Sequence, residues 1–477
     1  MPRYYLQTTR GHTATPPVPS ASSTPDLVQY VSKATAIGAG GAWSVGTNIS
    51  LPFPNPGRSG NCMVVFVQVP GDWPIADFAA TDNIGTNTWV RLKGSYNATG
   101  DVMLMAFYAL NVAAGTRTVN VSQNTSTGLF GFQSMGMEFC NVTAIDGAAL
   151  STTGNSSTMT TASITPAQTG DLIVYAGVRV TSVTTTSFTA GSQSNITWKL
   201  AGPNIFNGFS MQWGVYNSTS AINPQMTMAT STQWTAMALA FKAGASGTAR
   251  PSTGIYVIGN TGIDFRPGNF ATTQVMQVSR YGNLGIVGFV GGVAANAPTI
   301  TAITDTESTS WSTAFTSVVN DSRVGMLYGP NATPNPSSLM TLTLNISTGD
   351  FTAQCLDVSG AAVSPLGAFG TNTGNQSVAG DNSCISITPT ASNGLVYCEM
   401  GVAFNTNVSL TAPSAGTFIS ATFDNQDLDG PSTPDENNAW ALWYNPNTSA
   451  QTFTFHMRSP SEANGNWAAG IAEFKAA

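Results

Sequence analysis

Short apolar runs, punctuated by clusters of Gly, Asn, Pro and Ser, recur along the whole chain. Cys62-Met-Val-Val-Phe-Val-Gln-Val, Val102-Met-Leu-Met-Ala-Phe-Tyr, Gly136-Met-Glu-Phe-Cys-Asn-Val and Asp171-Leu-Ile-Val-Tyr-Ala-Gly-Val are typical. Each has the length of one strand, and no useful stretch keeps the 3.6-residue period of a helix. The pattern predicts an all-β fold of antiparallel two-sheet sandwiches, of jelly-roll type.

One run occurs twice. Trp234-Thr-Ala-Met-Ala-Leu-Ala-Phe241-Lys242-Ala243 is echoed by Trp467-Ala-Ala-Gly-Ile-Ala-Glu-Phe474-Lys475-Ala476 at the end of the chain. In the first copy Trp234, Ala236, Ala238 and Ala240 fall on one face, with Thr235, Met237, Leu239 and Phe241 on the other. Small or apolar residues on both faces predict an inner strand. Other blocks correspond in the same order: Asp82 to Trp89 with Asp305 to Trp311, Glu138-Phe-Cys140 with Ala353-Gln-Cys355, and Trp213 with Trp440. The chain therefore reads as a duplication. An N-terminal arm covers residues 1–26, a first repeat 27–243, a linker 244–269 and a second repeat 270–477. The arm is Pro- and Ser-rich, and Arg250-Pro251 and Arg266-Pro267-Gly268 mark the linker.

These blocks resemble a module of tailed-phage virion proteins and bacterial extracellular proteins. The resemblance rests on Met63-Val-Val, the Asp82 to Trp89 turn, the Gly170 to Ala176 strand and the Trp234 to Lys242 strand. The second copy keeps the pattern less well, with Asn393-Gly394 for Gly-Asp and Glu473 before Phe474. The resemblance implies a jelly-roll β-sandwich used as a structural or adhesive unit, and fixes no activity.

Composition narrows the classes. Charged residues make up 8% of the 477 positions, against roughly 25% in ordinary soluble domains. The net charge is −7, with 16 Lys plus Arg and no basic stripe, which argues against nucleic acid. No apolar run is long enough to insert in a membrane, and the N-terminus carries no signal-peptide pattern. An extracellular type of surface without such a signal predicts a virion location. The five cysteines lack a CxxC pair and sit mostly in apolar runs, so buried thiols are expected, with a Cys384–Cys398 bridge as the alternative.

Catalytic chemistry is poorly supplied. The two histidines, His12 and His456, leave a nucleophile without a base, and no phosphate-binding glycine motif follows a strand. No catalytic residue is assigned and no enzyme is expected. Asp424, Asp427, Asp429 and Asp435 place oxygen ligands around a Gly turn and are a candidate calcium site, against a plain solvated acidic loop. Trp89/Trp311, Trp213/Trp440 and Trp234/Trp467 recur in both copies and are expected in cores. Trp43, Trp73, Trp198 and Trp443 do not recur. Of these Trp73 and Trp443, with Tyr444, are candidates for stacking on sugar rings, against local packing.

The functional expectation is a phage structural protein (capsid decoration, fibre or tail adaptor) that assembles as a homo-oligomer. It would contact other virion proteins through residues 1–26 and the linker. The alternative is a carbohydrate-binding adhesin that recognises a host-surface glycan.

Overall fold

The computed structural model describes residues 23–33, 45–46, 48–124, 129–130, 133–147, 150–179, 188–204, 208–265, 273–292, 300–319 and 322–346. Further on it describes 350–376, 380–383, 386–402, 408–411, 417–425, 437–445, 447–452, 454–457 and 465–477. The fold is all-β, and among the described residues the helical content is one 3-10 turn, Ile75–Asp77.

Ten strands form the largest sheet. One side of it runs Asp26–Lys33, Gln133–Cys140, Cys62–Pro70, Val102–Ala109, Val90–Asn97. The other runs Tyr256–Phe265, Asp350–Ser359, Leu284–Gly292, Ser322–Pro330, Ser312–Val319. Strand for strand the second series repeats the first in chain order. The two series meet at Asp26–Lys33 and Tyr256–Phe265, which pair in parallel from Tyr30 opposite Gly259 to Lys33 opposite Gly262. All other pairings in this sheet are antiparallel.

Two equivalent strands that lie side by side in parallel, with their neighbours in mirrored order, are related by a half-turn about an axis along the strands. A half-turn also exchanges the two faces of the sheet. The cores agree. Val64, Phe66, Leu104 and Ala106 pack with Leu172, Val174, Met237, Leu239 and Phe241 of a seven-stranded sheet in the first half. Ile286, Val324, Met326 and Leu356 pack with Leu395, Tyr397, Ala472 and Phe474 of a five-stranded sheet in the second half. The strand at the seam serves both, with Tyr256 and Ile258 in the first core and Val257, with the preceding Ile255, in the second. Period-two alternation lets one strand do this.

The covering sheets repeat too. Gln225–Ala243 lies between Asp171–Arg179 and the strands Val142–Ile145 and Leu150–Thr160, and Gly465–Ala476 lies between Gly394–Val402 and Ala361–Gln376. Both copies of the Trp…Phe-Lys run are thus inner strands. Their faces divide as the alternation predicts: Met237, Leu239 and Phe241 enter one core, and Trp234, Ala236, Ala238 and Ala240 another. Each closing Trp has a glycine directly opposite, Gly154 for Trp234 and Gly374 for Trp467. A Cβ at either glycine would collide with the indole ring.

Residues 256–265, expected inside a linker, form the seam strand. Residues 244–255 are fastened rather than loose. Ser246 Oγ donates to Val142 O at 2.7 Å, and Arg250 Nη1 to Leu27 O at 2.9 Å. Of the expected arm, residues 1–22 lie outside the described residues.

Candidate functional site

Polar side chains placed inside apolar runs converge on the seam. Gln29 interrupts Leu27-Val-Gln-Tyr-Val, and Glu138 interrupts Met137-Glu-Phe139; both are fully buried. Glu138 Oε1 accepts from Arg58 N at 2.8 Å and from Asn61 Nδ2 at 2.6 Å, while Oε2 accepts from Gln29 Nε2 at 2.5 Å. Asn61 also ties down the chain leaving the first half, accepting from Thr248 N at 2.7 Å. Gln29 Oε1 in turn accepts from Asn55 N at 2.8 Å. Asn55 donates through Nδ2 to Val257 O at 2.5 Å and accepts from Tyr444 Oη at 2.9 Å. Val257 N donates to Tyr444 Oη at 3.1 Å. Burial pushes the Glu138 carboxyl above the usual range, and its three donors pull it back only in part.

A second set of contacts joins the halves further along the seam. Trp213 Nε1 donates to Tyr281 Oη at 2.9 Å, and Tyr281 Oη donates to Leu200 O at 2.6 Å. Tyr30 donates to Ser279 O at 3.2 Å. Asp357 accepts from Tyr281 N at 2.6 Å and Gly282 N at 2.8 Å, and burial raises its carboxyl to about 6 despite those donors.

The duplicated Asp–Trp turn is built alike in both halves. Asp82 accepts from Ile84 N, Gly85 N, Asn87 Nδ2 and, at 2.7 Å, Trp89 Nε1. Asp305 accepts from Glu307 N, Thr309 N and, at 2.8 Å, Trp311 Nε1. Partial burial would raise both carboxyls, but these donors outweigh it and hold both below the usual carboxylate value. The two Trp residues are half-buried against their cores, with the indole N–H spent on the turn.

The residues singled out for chemistry fare differently. Tyr444 spends its hydroxyl across the seam, donating to Asn55 Oδ1 and accepting from Val257 N. Trp73 is half-buried and donates to Pro70 O at 2.8 Å. Trp198, grouped with the unpaired aromatics, is a core residue at 2% exposure. Trp443 lies in Asn437–Asn445, opposite Val396 and Phe418, and its side chain is outside the described residues. Asp424 lies in Thr417–Asn425, with its side chain likewise outside, as are Asp427, Asp429 and Asp435 entirely. Among the described residues no group of three His, Cys, Asp or Glu side chains converges to hold a metal. Cys62, Cys140 and Cys355 are buried free thiols, and Cys398 is buried too.

One carboxyl pair was not foreseen. Asp171 is wholly buried beside Asp146, and its Oδ2 has no donor among the described residues. Asp171 also accepts from Ala243 N at 2.9 Å, and Asp146 lies 3.7 Å from Lys242 Nζ. Burial, then the neighbouring Asp146 carboxyl, raise the Asp171 carboxyl to about 6. Two neighbouring carboxylates repel each other, which favours a proton on one of them. A folded-state value above the unfolded 3.8 means that the folded chain binds the proton more tightly. This group's stability contribution is therefore complete below about 4 and lost as pH rises through about 6. Asp171→Asn keeps an oxygen for Ala243 N and removes the ionisable group beside Asp146. Thermal midpoints measured from pH 4 to 8 should fall less steeply in this variant, which should melt higher than the parent above pH 7.

The fold and seam define the class: an all-β protein of two equivalent halves joined through one continuous sheet. Compared with known protein-family models and with curated proteins, the chain matches none. Among the described residues no helix is long and apolar enough to cross a membrane.

Proposed function

We propose that the chain is a structural component of a tailed-phage virion, built as two tandem sandwich modules and working through assembly contacts. Capsid decoration, fibre component and tail adaptor are the positions this reading covers. The observation that carries it is the shared ten-stranded sheet. Two modules joined by backbone pairing and a buried polar network hold a fixed angle, as a building block must and a pair of tethered binding domains need not. Assembly surfaces are also available. Ala361–Gln376 ends its sheet and exposes Val363 (76%) and Phe369 (55%), whereas its first-half counterpart, Leu150–Thr160, is mostly Ser, Thr and Asn. An exposed apolar edge is a ready place for another chain to pair.

Light scattering of the purified protein should give a multiple of 49.4 kDa, and Phe369→Ser should lower that multiple. Density from intact particles should contain the two-module shape. A chain that stays monomeric and is missing from purified particles would overturn the reading.

A further inference from the structure

The two halves differ at one place where their loops can be compared directly. In the first half the Asp82–Trp89 turn is laced to the loop that follows Val102–Ala109. Asn87 Nδ2 donates to Thr116 Oγ1 at 2.7 Å, Ala113 N donates to Asn87 Oδ1 at 2.7 Å, and Asn83 Oδ1 accepts from Arg117 N at 2.6 Å. The nine-residue connection 53–61 also leans on that loop, with Gly57 N donating to Thr116 O at 2.6 Å.

In the second half the corresponding connection is only Tyr281-Gly282-Asn283, between Thr273–Arg280 and Leu284–Gly292. Thr309 stands two residues before Trp311, where Asn87 stands before Trp89. Its hydroxyl accepts from Arg280 Nη1 at 2.9 Å. The turn and the 330–335 loop stand apart and enclose a cleft of about 580 Å³. Arg280, 3% exposed, lines it, and its Nη2 is buried without a protein acceptor. Arg280 Nη1 also meets Glu307 Oε2 at 3.2 Å, and Asn335 Nδ2 donates to Glu307 Oε1 at 3.3 Å. Ser310 and Thr333 add hydroxyls to the wall.

We infer that this cleft is a binding site for a neutral saccharide of one or two rings. Its volume falls in the range of small-ligand sites. Its two charged residues are already paired with each other, so no net charge is left to select an ion. The rest of its polar lining is hydroxyl and amide, the groups that exchange hydrogen bonds with a sugar's hydroxyls. The site is separate from the aromatic residues first considered for sugars.

Saturation-transfer NMR on the full chain, with a panel of neutral hexoses, N-acetylhexosamines and their disaccharides beside uronic acids, tests this. Transfer to at least one neutral sugar is expected. Asn335→Ala and Glu307→Gln should each weaken it by about 3- to 10-fold, the effect of losing one hydrogen bond. Thr309→Asn, which restores the first half's lacing residue, should weaken it further at an unchanged melting temperature. No transfer to any neutral sugar, transfer to uronic acids alone, or binding indifferent to all three variants would overturn the inference. None of these outcomes bears on the assembly proposal, which is decided by particle density and solution size.

Discussion

Replacing Trp213 with alanine is expected to destabilise the protein by about 3–5 kcal/mol, the range for emptying a buried aromatic site. Trp213 is 1% exposed, packs edge-on to Phe139 with ring centroids 5.4 Å apart, and carries Lys199 Nζ 4.2 Å from its ring centre. Its removal opens a cavity in the first core and cuts a bond to Tyr281 in the second half. Tyr281→Phe isolates the second effect, and should cost about 1–2 kcal/mol, the value of its lost hydrogen bonds. Urea unfolding, followed by tryptophan fluorescence and by circular dichroism, measures both. The two probes should shift together in Trp213→Ala. A shift confined to one half would mean that the seam does not couple the cores.

Glu138→Ala should be nearly as damaging, by about 2–4 kcal/mol, because truncating one partner strands the others in a dry site. Arg58 N would lose its acceptor outright. Gln29 Nε2 and Asn61 Nδ2 would each keep one, Asn55 O and Thr248 O respectively. The burial that makes the site dry also raises the Glu138 carboxyl, so ionisation costs stability as pH rises through its folded value. Glu138→Gln separates charge from shape: it should lose less stability than Glu138→Ala at pH 7, and since neither variant ionises at 138, both losses should shrink by the same amount from pH 5 to pH 8. Chemical denaturation at pH 5 and pH 8 gives both numbers, and equal costs for the two variants would show that the donors do not need an acceptor there.

How far the chain could be read in advance depended on how local the cause was. The alternation in Trp234 to Phe241 is local, and it divided the two cores correctly because a strand has no choice about where successive side chains point. The Asp82 to Trp89 turn was visible as a turn, but the indole bond that closes it was not, since spacing alone does not tell which atom the carboxylate will hold. Within the linker Ile255-Tyr-Val-Ile reads as a possible short strand, but its place at the seam is not legible, because both of its partners lie far away, at Asp26–Lys33 and Asp350–Ser359. Trp198 is set apart because it does not recur in the second repeat, and Tyr444 is grouped with Trp443; neither reading shows what lies against them. Their cover comes from Asn55 and from the Met159–Met226 core. Gln29 and Glu138 did leave a signal, polar residues in the middle of apolar strands, and such interruptions mark a buried network when two of them face each other. The cleft at Arg280 had its clue in the missing loop between two aligned strands.

The parallel seam also decides how the chain resists tension. A pull on the residues before Asp26 runs along the Asp26–Lys33 strand, which is bonded on one side to Gln133–Cys140 and on the other to Tyr256–Phe265. Those ladders lie along the pull, so their bonds must slide together and cannot open one after another like a zipper. Force entering at the N-terminal end is thereby passed to both halves at once, and the strand that anchors the chain is the one hardest to draw out.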